Sequence, residues 1–246
     1  MANPNTSQGE VLNLLNLLRP WHMANFRKIR LGQPHDGGYV LPELALQSNL
    51  LVSIGIGDDV SFDSEFANRG AQIYQFDHTI QAPPLTHPNM HYFRKGWGAV
   101  ATADLMSFDQ IVDVVDWSNA QHPVLKFDVE GAEWAGLNAM DAEHLGRFEI
   151  VTAEFHNIEQ VFYRANYELL LAAFTKLNLR HLPVHLHVNN YQGLTLVNGV
   201  PIPCVIELTY LRRDCGVFGG HSTEPIPGPL DQPNNKAAAD ICLRPF

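Results

Sequence analysis

Residues 50–62 have the sequence LLVSIGIGDDVSF, which joins an apolar run to a pair of glycines. The run Leu50–Ile54 is typical of a buried parallel strand, and Gly55 and Gly57 follow it directly. Ser61 is a suitable N-cap for a helix after the glycines. A strand, a glycine loop and a helix in this order bring backbone amides close to a ligand. These residues therefore predict a nucleoside-binding loop.

An acidic residue stands at the spacing that ribose binding requires. Asp77 lies 20 residues after Gly57, at the end of a second predicted strand, where a carboxylate accepts hydrogen bonds from ribose hydroxyls. A dinucleotide loop would have its third glycine at position 60, which is Val60. The Gly-Lys-Ser or Gly-Lys-Thr of a Walker loop does not occur in the sequence. The spacing favours a nucleoside cofactor other than NAD, and an NAD-dependent oxidoreductase stays as an alternative.

The chain around this loop alternates between predicted strands and helices. Such an order implies an α/β fold with a mainly parallel sheet and helices on both faces. The last two strands form an antiparallel hairpin, joined by a turn at Asn198 and Gly199. The fold prediction is a Rossmann-like α/β domain. The strands are predicted over 50–54, 71–76, 91–93, 124–127, 150–155, 181–188 and 205–211, and the helices over 11–19, 61–68, 104–115, 132–140 and 167–177.

The length and composition suit one folded domain with two flanking segments. The chain has 246 residues, of which 46% are apolar and 17% charged. These values are typical of a globular domain and not of a disordered chain. We expect an N-terminal helical cap over 1–30, a Rossmann-like domain over 31–215, and an irregular tail rich in Pro, Gly and Asn over 216–246.

The charge and the cysteines limit the classes of partner. The formal net charge is −10, whereas a nucleic-acid binder clusters Lys and Arg on one face. The three cysteines are far apart in the sequence, so neither a zinc ribbon nor a disulfide framework is indicated. Neither a signal peptide nor an apolar run of about 20 residues is evident. We therefore expect a cytoplasmic protein that acts on a small molecule or glycan and binds neither nucleic acid nor a membrane.

A second motif, LKFDVEGAEW over residues 125–134, places acidic residues after another apolar strand. Ligands of open α/β sheets bind beyond the carboxyl ends of the strands, and Asp128 is at that position. Glu133 falls in the first turn of the next helix, where the helix dipole favours a carboxylate. Asp128 is therefore the better candidate for a functional role.

Two further strands end in acidic and histidine residues. In VTAEFHN, over 151–157, the side chains of Glu154 and His156 project to the same side, and His187 stands in a similar pattern within HLPVHLHVNN, over 181–190. Histidine is the usual general base near neutral pH. The candidate catalytic residues are His156, Glu154, Asp128 and His187. The candidate ligands for a divalent ion such as Mg²⁺ or Mn²⁺ are Asp128, Glu154 and His156.

In their order along the chain, six motifs resemble the FkbM-type branch of class I S-adenosylmethionine methyltransferases. The resemblance covers residues 31–214, and DVEGAEW is its most specific element. Two positions of the glycine loop depart from the family pattern, because Ser53 stands where an acid is usual and Asp59 where a third glycine is usual. The six motifs are DGGYV, SIGIGDDVSFD, YQFDHT, LKFDVEGAEW, EFHN and HLHVNN.

The resemblance implies a seven-stranded sheet with a final antiparallel strand and S-adenosylmethionine as cofactor. Members of this branch methylate hydroxyl groups on polyketides, sugars and related metabolites, so an O-methyltransferase is expected. The resemblance also implies that Asp77 binds the ribose and that residues 36–39 and Asp128 lie near the methionine portion. The candidate cofactor-binding residues are Asp36, Gly37, Gly38, Tyr39, Gly55, Ile56, Gly57, Asp58, Ser61, Asp77, His78 and Asp128.

A hydroxyl acceptor must lose its proton during methyl transfer, so a neighbouring base or metal is needed. We expect His156 to be that base, oriented by Glu154 or Asp128, with His187 as the second choice. Turnover should then fall as the pH drops through the titration of the histidine. A non-catalytic scaffold that retains the fold is the remaining alternative. Calorimetry with S-adenosylmethionine and with NAD separates these three hypotheses.

Overall fold

The computed structural model describes residues 5–243, which form a mixed α/β protein. Two 3₁₀ helices, Glu43–Gln47 and Ile158–Phe162, accompany the regular elements. The helices are α1 (Gln8–Asn16), α2 (Ser61–Asn68), α3 (Phe108–Val114), α4 (Glu133–Ala139), α5 (Ala142–Leu145) and α6 (Arg164–Arg180). The strands are β1 (Trp21–Met23), β2 (Lys28–Leu31), β3 (Tyr39–Pro42), β4 (Leu50–Ile54), β5 (Gln72–Phe76), β6 (Met90–Phe93), β7 (Gly96–Trp97), β8 (Leu105–Met106), β9 (Val124–Phe127), β10 (Ile150–Phe155), β11 (His181–Val188), β12 (Leu194–Val197), β13 (Val200–Pro203), β14 (Ile206–Arg212) and β15 (Phe218–His221).

Seven strands form the central sheet in the order β11-β14-β10-β9-β4-β5-β6. The pairs among β10, β9, β4, β5 and β6 are parallel, whereas β14 is antiparallel to both β10 and β11. Parallel neighbours need long crossover connections, and helices supply most of them. The sequence predicted a mostly parallel, Rossmann-like sheet of seven strands with a C-terminal antiparallel strand. The structure confirms this prediction, and β14 is the antiparallel strand.

The turn at Asn198 and Gly199 does not join the last two strands of the sheet, and that part of the prediction is wrong. The turn belongs to a separate hairpin of β12 and β13, inserted between β11 and β14. The φ angles of Asn198 and Gly199 are 51° and 82°, which is the left-handed conformation of a tight two-residue hairpin turn. The turn itself was placed correctly, but its short strands pair with each other and not with the sheet.

The two terminal segments contain strands that pair with each other. A capping box of Ser7 and Glu10 starts α1, but the segment predicted as a helical cap also contains β1 and most of β2. β1 pairs antiparallel with β15, so the predicted irregular tail contributes a strand. Residues 1–4 and 244–246 of these two predicted segments lie outside the described residues.

Three predicted helices differ from the observed ones by more than one residue at an end, and the helix predicted over 132–140 is one residue shorter at each end. α1 covers 8–16, where 11–19 was predicted, and α6 is longer than the predicted 167–177 at both ends. α3 begins later than predicted because Leu105–Met106 form β8 and Ser107 caps the helix through its side chain. In the described part of the chain, no helix is both long and apolar enough to cross a bilayer.

The two faces of the central sheet are covered in different ways. On one face, α1, α3, α4, α5 and α6 pack in the larger apolar core. On the other face, α2, the 3₁₀ helix Glu43–Gln47 and the hairpin of β2 and β3 pack over a smaller core. Helices therefore cover both faces, as predicted, but most of them lie on one side.

A row of buried polar side chains crosses the face that carries the smaller core. The members lie in register on neighbouring strands, and each is at most 6% exposed. The hydroxyls of Thr152 and Thr209 are 2.9 Å apart, and Thr209 also donates to the carbonyl of Val40 at 2.7 Å. The row runs across the strands, and its member Lys126 lines the cavity at the carboxyl edge of the sheet. Its members are His185, Thr209, Thr152, Lys126, Ser53 and Gln75.

Candidate functional site

The parallel strands β4, β5 and β9 end at one edge of the sheet, beside a cavity of about 560 Å³. Gly55, Asp77 and Asp128 are the first residues after these strands, and all three line the cavity. Small-molecule sites typically have volumes of about 300–1,000 Å³. Gly38 and Ser61 are the two predicted cofactor-binding residues that are not part of the lining. The predicted residues that do line it are Asp36, Gly37, Tyr39, Gly55, Ile56, Gly57, Asp58, Asp77, His78 and Asp128.

Both glycines of the loop have backbone angles that favour glycine. Gly55 has a φ of 75°, and a β-carbon there would lie 1.7 Å from the carbonyl oxygen of Asp128. A side chain therefore cannot fit between the two loops. Gly57 has a φ of 52°, and a β-carbon there would meet nothing within 4 Å. Because Gly57 lines the cavity, the space beside it is open to a ligand.

Asp77 holds the glycine loop in place. Its Oδ2 accepts hydrogen bonds from the amides of Ile56 at 3.0 Å and Gly57 at 2.9 Å. Its Oδ1 accepts from the amide and the hydroxyl of Thr79, at 2.7 and 2.6 Å. Burial raises the pKa of Asp77, but these hydrogen bonds outweigh that effect and keep the pKa below its usual value. The carboxylate is charged at neutral pH and shapes the loop.

The start of α2 differs from the prediction that Ser61 is the N-cap. Ser61 is the first helical residue and Val60 is the N-cap. Asp59, which stands where the family has a third glycine, accepts hydrogen bonds from the amide of Ser61 at 3.0 Å and its hydroxyl at 2.8 Å. The Ser61 oxygen also accepts from the amide of Gln33 at 2.8 Å. Ser61 is therefore bonded within the protein and does not face the cavity.

The DGGY segment, residues 36–39, reaches the cavity just before and at the start of β3. Gly38 packs away from the cavity, since a β-carbon there would lie 2.3 Å from the carbonyl oxygen of Gln33. Tyr39 lines the cavity although the residue is only 3% exposed. Its hydroxyl has no hydrogen-bond partner among residues 5–243. This segment thus brings a carboxylate, Asp36, and a free phenol to the cavity.

Asp128 presents an unpaired oxygen beside the cavity. Its Oδ1 has no hydrogen-bond partner in the described part of the chain. Burial raises the pKa of Asp128, although the charges of Lys126 and His156 act in the opposite direction. Lys126 also donates to the carbonyl of Gly55. A carboxylate with a raised pKa and a free oxygen is suited to accepting a proton.

His156 lies behind Asp128, among four carboxylates. Its Nδ1 is 3.1 Å from Glu133, and its Nε2 is 3.4 Å from both Glu130 and Glu154 and 3.9 Å from Asp128. Burial lowers the pKa of His156, but hydrogen bonds with Glu133 and Glu154 outweigh it and raise the pKa to about 10. The imidazole is then protonated at neutral pH and has no free lone pair. This state does not match the general-base role predicted for His156.

Glu154 and His187 lie on either side of Glu207, which is in register with both. Burial raises the pKa of Glu154 to about 8. The Nδ1 of His187 is 3.1 Å from Glu207, and its Nε2 is 3.0 Å from Asp240. Burial lowers the pKa of His187, but hydrogen bonds with Asp240 and Glu207 outweigh it and raise the pKa to about 10. Both ring nitrogens are engaged, so His187 has no free lone pair for the role of second base.

The predicted metal ligands fall into two separate groups. In each group, three side chains offer ligand atoms that lie within 4.8 Å of one another. A metal ligand must be deprotonated, so the proton on His156 competes with a metal in the first group. The first group is Asp128, Glu130 and His156, and the second is Asp36, Glu154 and Glu207.

The structure brings three residues to the site that the sequence did not single out. Trp97 lines the cavity, and its buried indole N–H has no partner among the described residues. The amide of Asn234, in the C-terminal tail, donates to Glu207 at 2.6 Å and to Asp36 at 3.2 Å. Strand alternation could have placed Glu207 on the polar face. Nothing in the local sequence marks Asn234 or Trp97.

No family model matches the chain, and no curated protein is significantly similar to it. A solved structure described as "Putative hemolysin from Streptococcus thermophilus" is similar over 87% of this chain and 69% of its own length, with a TM-score of 0.40 and 12% identity. A likeness this distant bears on neither the activity nor the ligand of this chain. The fold and the site together define a mixed α/β protein with a cavity at the carboxyl edge of its sheet.

Proposed function

We propose that this chain is a class I S-adenosylmethionine-dependent methyltransferase of the FkbM type that methylates a hydroxyl oxygen. The observation that carries the proposal is that Gly57, Asp77 and Asp128 meet around one cavity at the carboxyl edge of the sheet. Open α/β sheets bind their ligands at this edge. The seven-stranded sheet with one antiparallel strand agrees with what the FkbM resemblance implies, and it supports the same proposal.

The cavity has features that fit a nucleoside with an amino-acid portion. Gly57 leaves open space beside the backbone, which lets a ligand approach the loop closely. Trp97 offers an apolar ring, and its unpaired indole N–H is available to an acceptor on the ligand. Asp36 offers an exposed carboxylate to an ammonium group. These groups supply the apolar, donor and acidic contacts that S-adenosylmethionine requires.

Asp77 is the residue that we assign to the ribose. A carboxylate has about four lone-pair sites, and four donors from the protein already occupy those of Asp77. The hydroxyl of Thr79 can rotate away, whereas the amides of Ile56 and Gly57 are fixed in the loop. A ribose hydroxyl therefore takes the place of the Thr79 hydroxyl and leaves the loop intact.

S-adenosylmethionine supplies a methyl group on a sulfonium, which is already activated for transfer. The side chains of the protein must align the acceptor hydroxyl and remove its proton. Asp128 is placed for this step because it lines the cavity at the end of β9 and its raised pKa suits it to accept a proton. His156 is held by Glu133 at 3.1 Å and lies 3.9 Å from Asp128. The protonated imidazole is a cation, which attracts the Asp128 carboxylate and keeps it in position.

The acceptor that suits this site is an uncharged hydroxyl compound, such as a sugar or a small metabolite. The chain carries a formal charge of −10, and the end of the cavity near Asp36 adjoins buried Glu154 and Glu207. The net charge and the carboxylates of Asp36 and Glu207 repel anionic acceptors. Carboxylates accept hydrogen bonds from hydroxyl groups, and side-chain amides donate hydrogen bonds to them.

Calorimetric titration with S-adenosylmethionine and with NAD tests the proposal. We expect S-adenosylmethionine to bind the wild-type protein and NAD not to bind. In Gly57→Ala the added methyl group has room within the protein but occupies ligand space, so affinity for S-adenosylmethionine should fall at least tenfold. Gly70→Ala is the matched control, because Gly70 has a φ of 92°, meets nothing within 4 Å and does not line the cavity.

The alternatives give different results in the same titration. Binding of NAD alone would identify an oxidoreductase, and binding of neither ligand would support a non-catalytic scaffold. Equal losses of affinity in Gly57→Ala and Gly70→Ala would mean that the cavity is not the binding site. Unfolding curves of both variants show whether the left-handed strain, about 1–2 kcal/mol for a residue other than glycine, is the same in each.

A further inference from the structure

Three carboxylates from separate parts of the chain meet at the acidic end of the cavity. Asp36 precedes β3, Glu154 lies near the end of β10 and Glu207 near the start of β14. Each offers an oxygen within 4.8 Å of the other two. Glu154 and Glu207 are buried, whereas Asp36 is exposed and lines the cavity. A small ion can reach the group from the cavity, while the protein encloses its other side.

The pairing of β10 with β14 places two of these carboxylates directly opposite each other. Glu154 and Glu207 are cross-strand partners, and like charges at such positions destabilise a sheet. The neighbouring histidines do not offset this charge fully, because His156 is shared with Glu133 and His187 is shared with a carboxylate of the tail. Burial raises the pKa of Glu154 to about 8, so this carboxyl avoids the repulsion by holding a proton at neutral pH. A cation bound by the group would displace that proton.

The hydroxyl of Tyr39 is a free oxygen next to this group. It lines the cavity, the residue is only 3% exposed, and no residue within 5–243 forms a hydrogen bond with it. Burial raises the pKa of Tyr39, and Asp128 and all three carboxylates of the group raise it further. Tyr39 and Asp36 both line the cavity from which an ion would reach the group. Because none of the described residues bonds this hydroxyl, its oxygen is open to a cation held by the group.

Asn234 carries a second free oxygen. Its side-chain nitrogen contacts Glu207 and Asp36, at 2.6 and 3.2 Å, while its buried Oδ1 has no partner in the described part of the chain. A half-turn of the amide exchanges the nitrogen and the oxygen. The oxygen would then face the same two carboxylates and could serve as a neutral ligand.

We propose that Asp36, Glu154 and Glu207 bind one hard divalent cation, with the free oxygens of Tyr39 and Asn234 beside it. Hard ions such as Mg²⁺, Mn²⁺ and Ca²⁺ take carboxylate and carbonyl oxygens as ligands. Oxygens on opposite sides of Ca²⁺ are about 4.6–5.2 Å apart, twice its usual bond length, and the three carboxylate oxygens, all within 4.8 Å of one another, are close enough to bind one such ion. This set shares only Glu154 with the ligands expected from the sequence.

Mn²⁺ is the probe for this site, because its paramagnetic resonance signal distinguishes free from bound ion. Metal-free wild-type protein is titrated with Mn²⁺ in the absence of any methyl donor. We expect one Mn²⁺ to bind per chain and excess Ca²⁺ or Mg²⁺ to displace it. Glu207→Gln should weaken binding at least tenfold. Asp36→Asn, in an exposed position, should do the same without disturbing the core.

Two control variants carry the same chemical change elsewhere. Glu130→Gln alters the other group of candidate ligands, and Glu168→Gln removes an exposed carboxylate on α6. Both should bind Mn²⁺ within twofold of the wild-type protein. Failure of the wild-type protein to bind Mn²⁺ overturns the proposal, and so does binding that Glu130→Gln abolishes but Asp36→Asn retains. If Glu207→Gln does not fold, Asp36→Asn decides. Because no methyl donor is present, the result is independent of the proposed methyltransferase activity.

Discussion

The two halves of the carboxyl edge of the sheet are built in different ways. The glycine half consists of the loop 55–57 with Asp77, and the acidic half consists of Glu154, His187 and Glu207. In the glycine half, donors from adjoining loops surround Asp77 and leave its carboxylate fully hydrogen-bonded. In the acidic half, the contacts cross three strands and extend into the C-terminal tail, and two carboxylates face each other across a strand pair.

The glycine half and the acidic half therefore depend on different physical properties. The glycine half depends on backbone shape, since the loop approaches its neighbour too closely for a side chain. The acidic half depends on which groups carry protons or bind cations, since its carboxylates and histidines are buried together. Added volume should therefore do most harm in the glycine half, and changes of charge or of donors should matter most in the acidic half.

The largest expected effect is that of Gly55→Ala. The φ of Gly55 is 75°, and its β-carbon would lie 1.7 Å from the carbonyl oxygen of Asp128. Overpacking of about 1–3 kcal/mol and a left-handed backbone of about 1–2 kcal/mol together should lower the free energy of unfolding by on the order of 4 kcal/mol. Urea unfolding measures this loss.

Gly193→Ala is the control for the backbone part of that effect. Gly193 has a φ of 80° and nothing within 4 Å of the added carbon, so only the strain of about 1–2 kcal/mol applies. If the two alanine variants lose the same stability, the close approach of the two loops does not constrain the glycine half.

The second prediction concerns the effect of pH on His181, which lies at the start of β11, at the opposite end of the strand from the acidic half. Burial, together with the charges of Arg212 and Arg180, lowers the pKa of His181 to about 4, although its hydrogen bond to the Phe148 carbonyl and the charge of Asp214 act the other way. The unfolded chain titrates near 6.5. Between these values the unfolded state binds more protons, so stability is complete above pH 6.5 and is lost as the pH falls toward 4. The full loss is about 3 kcal/mol.

Urea unfolding of the wild-type protein and of His181→Asn, at neutral pH and near pH 4, isolates the contribution of His181 to the free energy of unfolding. The variant has no titratable group at position 181 and keeps all the others, so its loss on acidification should be smaller by about 3 kcal/mol. An equal loss in both proteins would show that His181 is protonated in the folded state. His181 and His187, near the two ends of β11, would then both be protonated in the folded state.

The third prediction tests the link between the acidic half and the tail. Asn234→Ala removes the donor to Glu207 and Asp36, and hydrogen bonds to charged groups contribute about 1.5–3 kcal/mol each. We expect a loss of about 2 kcal/mol in the free energy of unfolding and faster proteolysis of the tail. Lys236→Ala, an exposed change in the same segment, should leave both unchanged. A stable Asn234→Ala protein with a resistant tail would mean that the tail is held by other contacts.

The glycine half could be predicted from the sequence because its parts are local. A strand, two glycines and an acid at a set spacing lie within 28 residues, 50–77, and each has a conformational or hydrogen-bonding reason to be there. The structure places Gly55, Gly57 and Asp77 around one cavity, as that pattern predicted. The central strands were also predicted closely, since each is a continuous apolar run.

The acidic half could be predicted only in part, because its contacts depend on strand register and on the tail. The sequence marked Glu154 and His187, but not that Glu207 lies between them. The protonation of His156 was also inaccessible, since it depends on Glu133, which the sequence explained by the helix dipole alone. Asn234 lies in a segment without periodicity, and only its contacts in the folded chain reveal its position.

The smallest expected effect is that of Ser61→Ala, which tests whether Ser61 belongs to the ligand-binding part of the glycine half. The Ser61 hydroxyl donates to Asp59 at 2.8 Å and accepts from the amide of Gln33 at 2.8 Å, and Ser61 does not line the cavity. Its loss should lower the free energy of unfolding by about 1 kcal/mol, while the affinity for S-adenosylmethionine stays within twofold of the wild-type value. Urea unfolding and calorimetry on the same preparation give both numbers. Tenfold weaker binding with unchanged stability would return Ser61 to the cofactor-binding residues that the sequence predicted, and the hydroxyl would then have to turn from Asp59 toward the ligand.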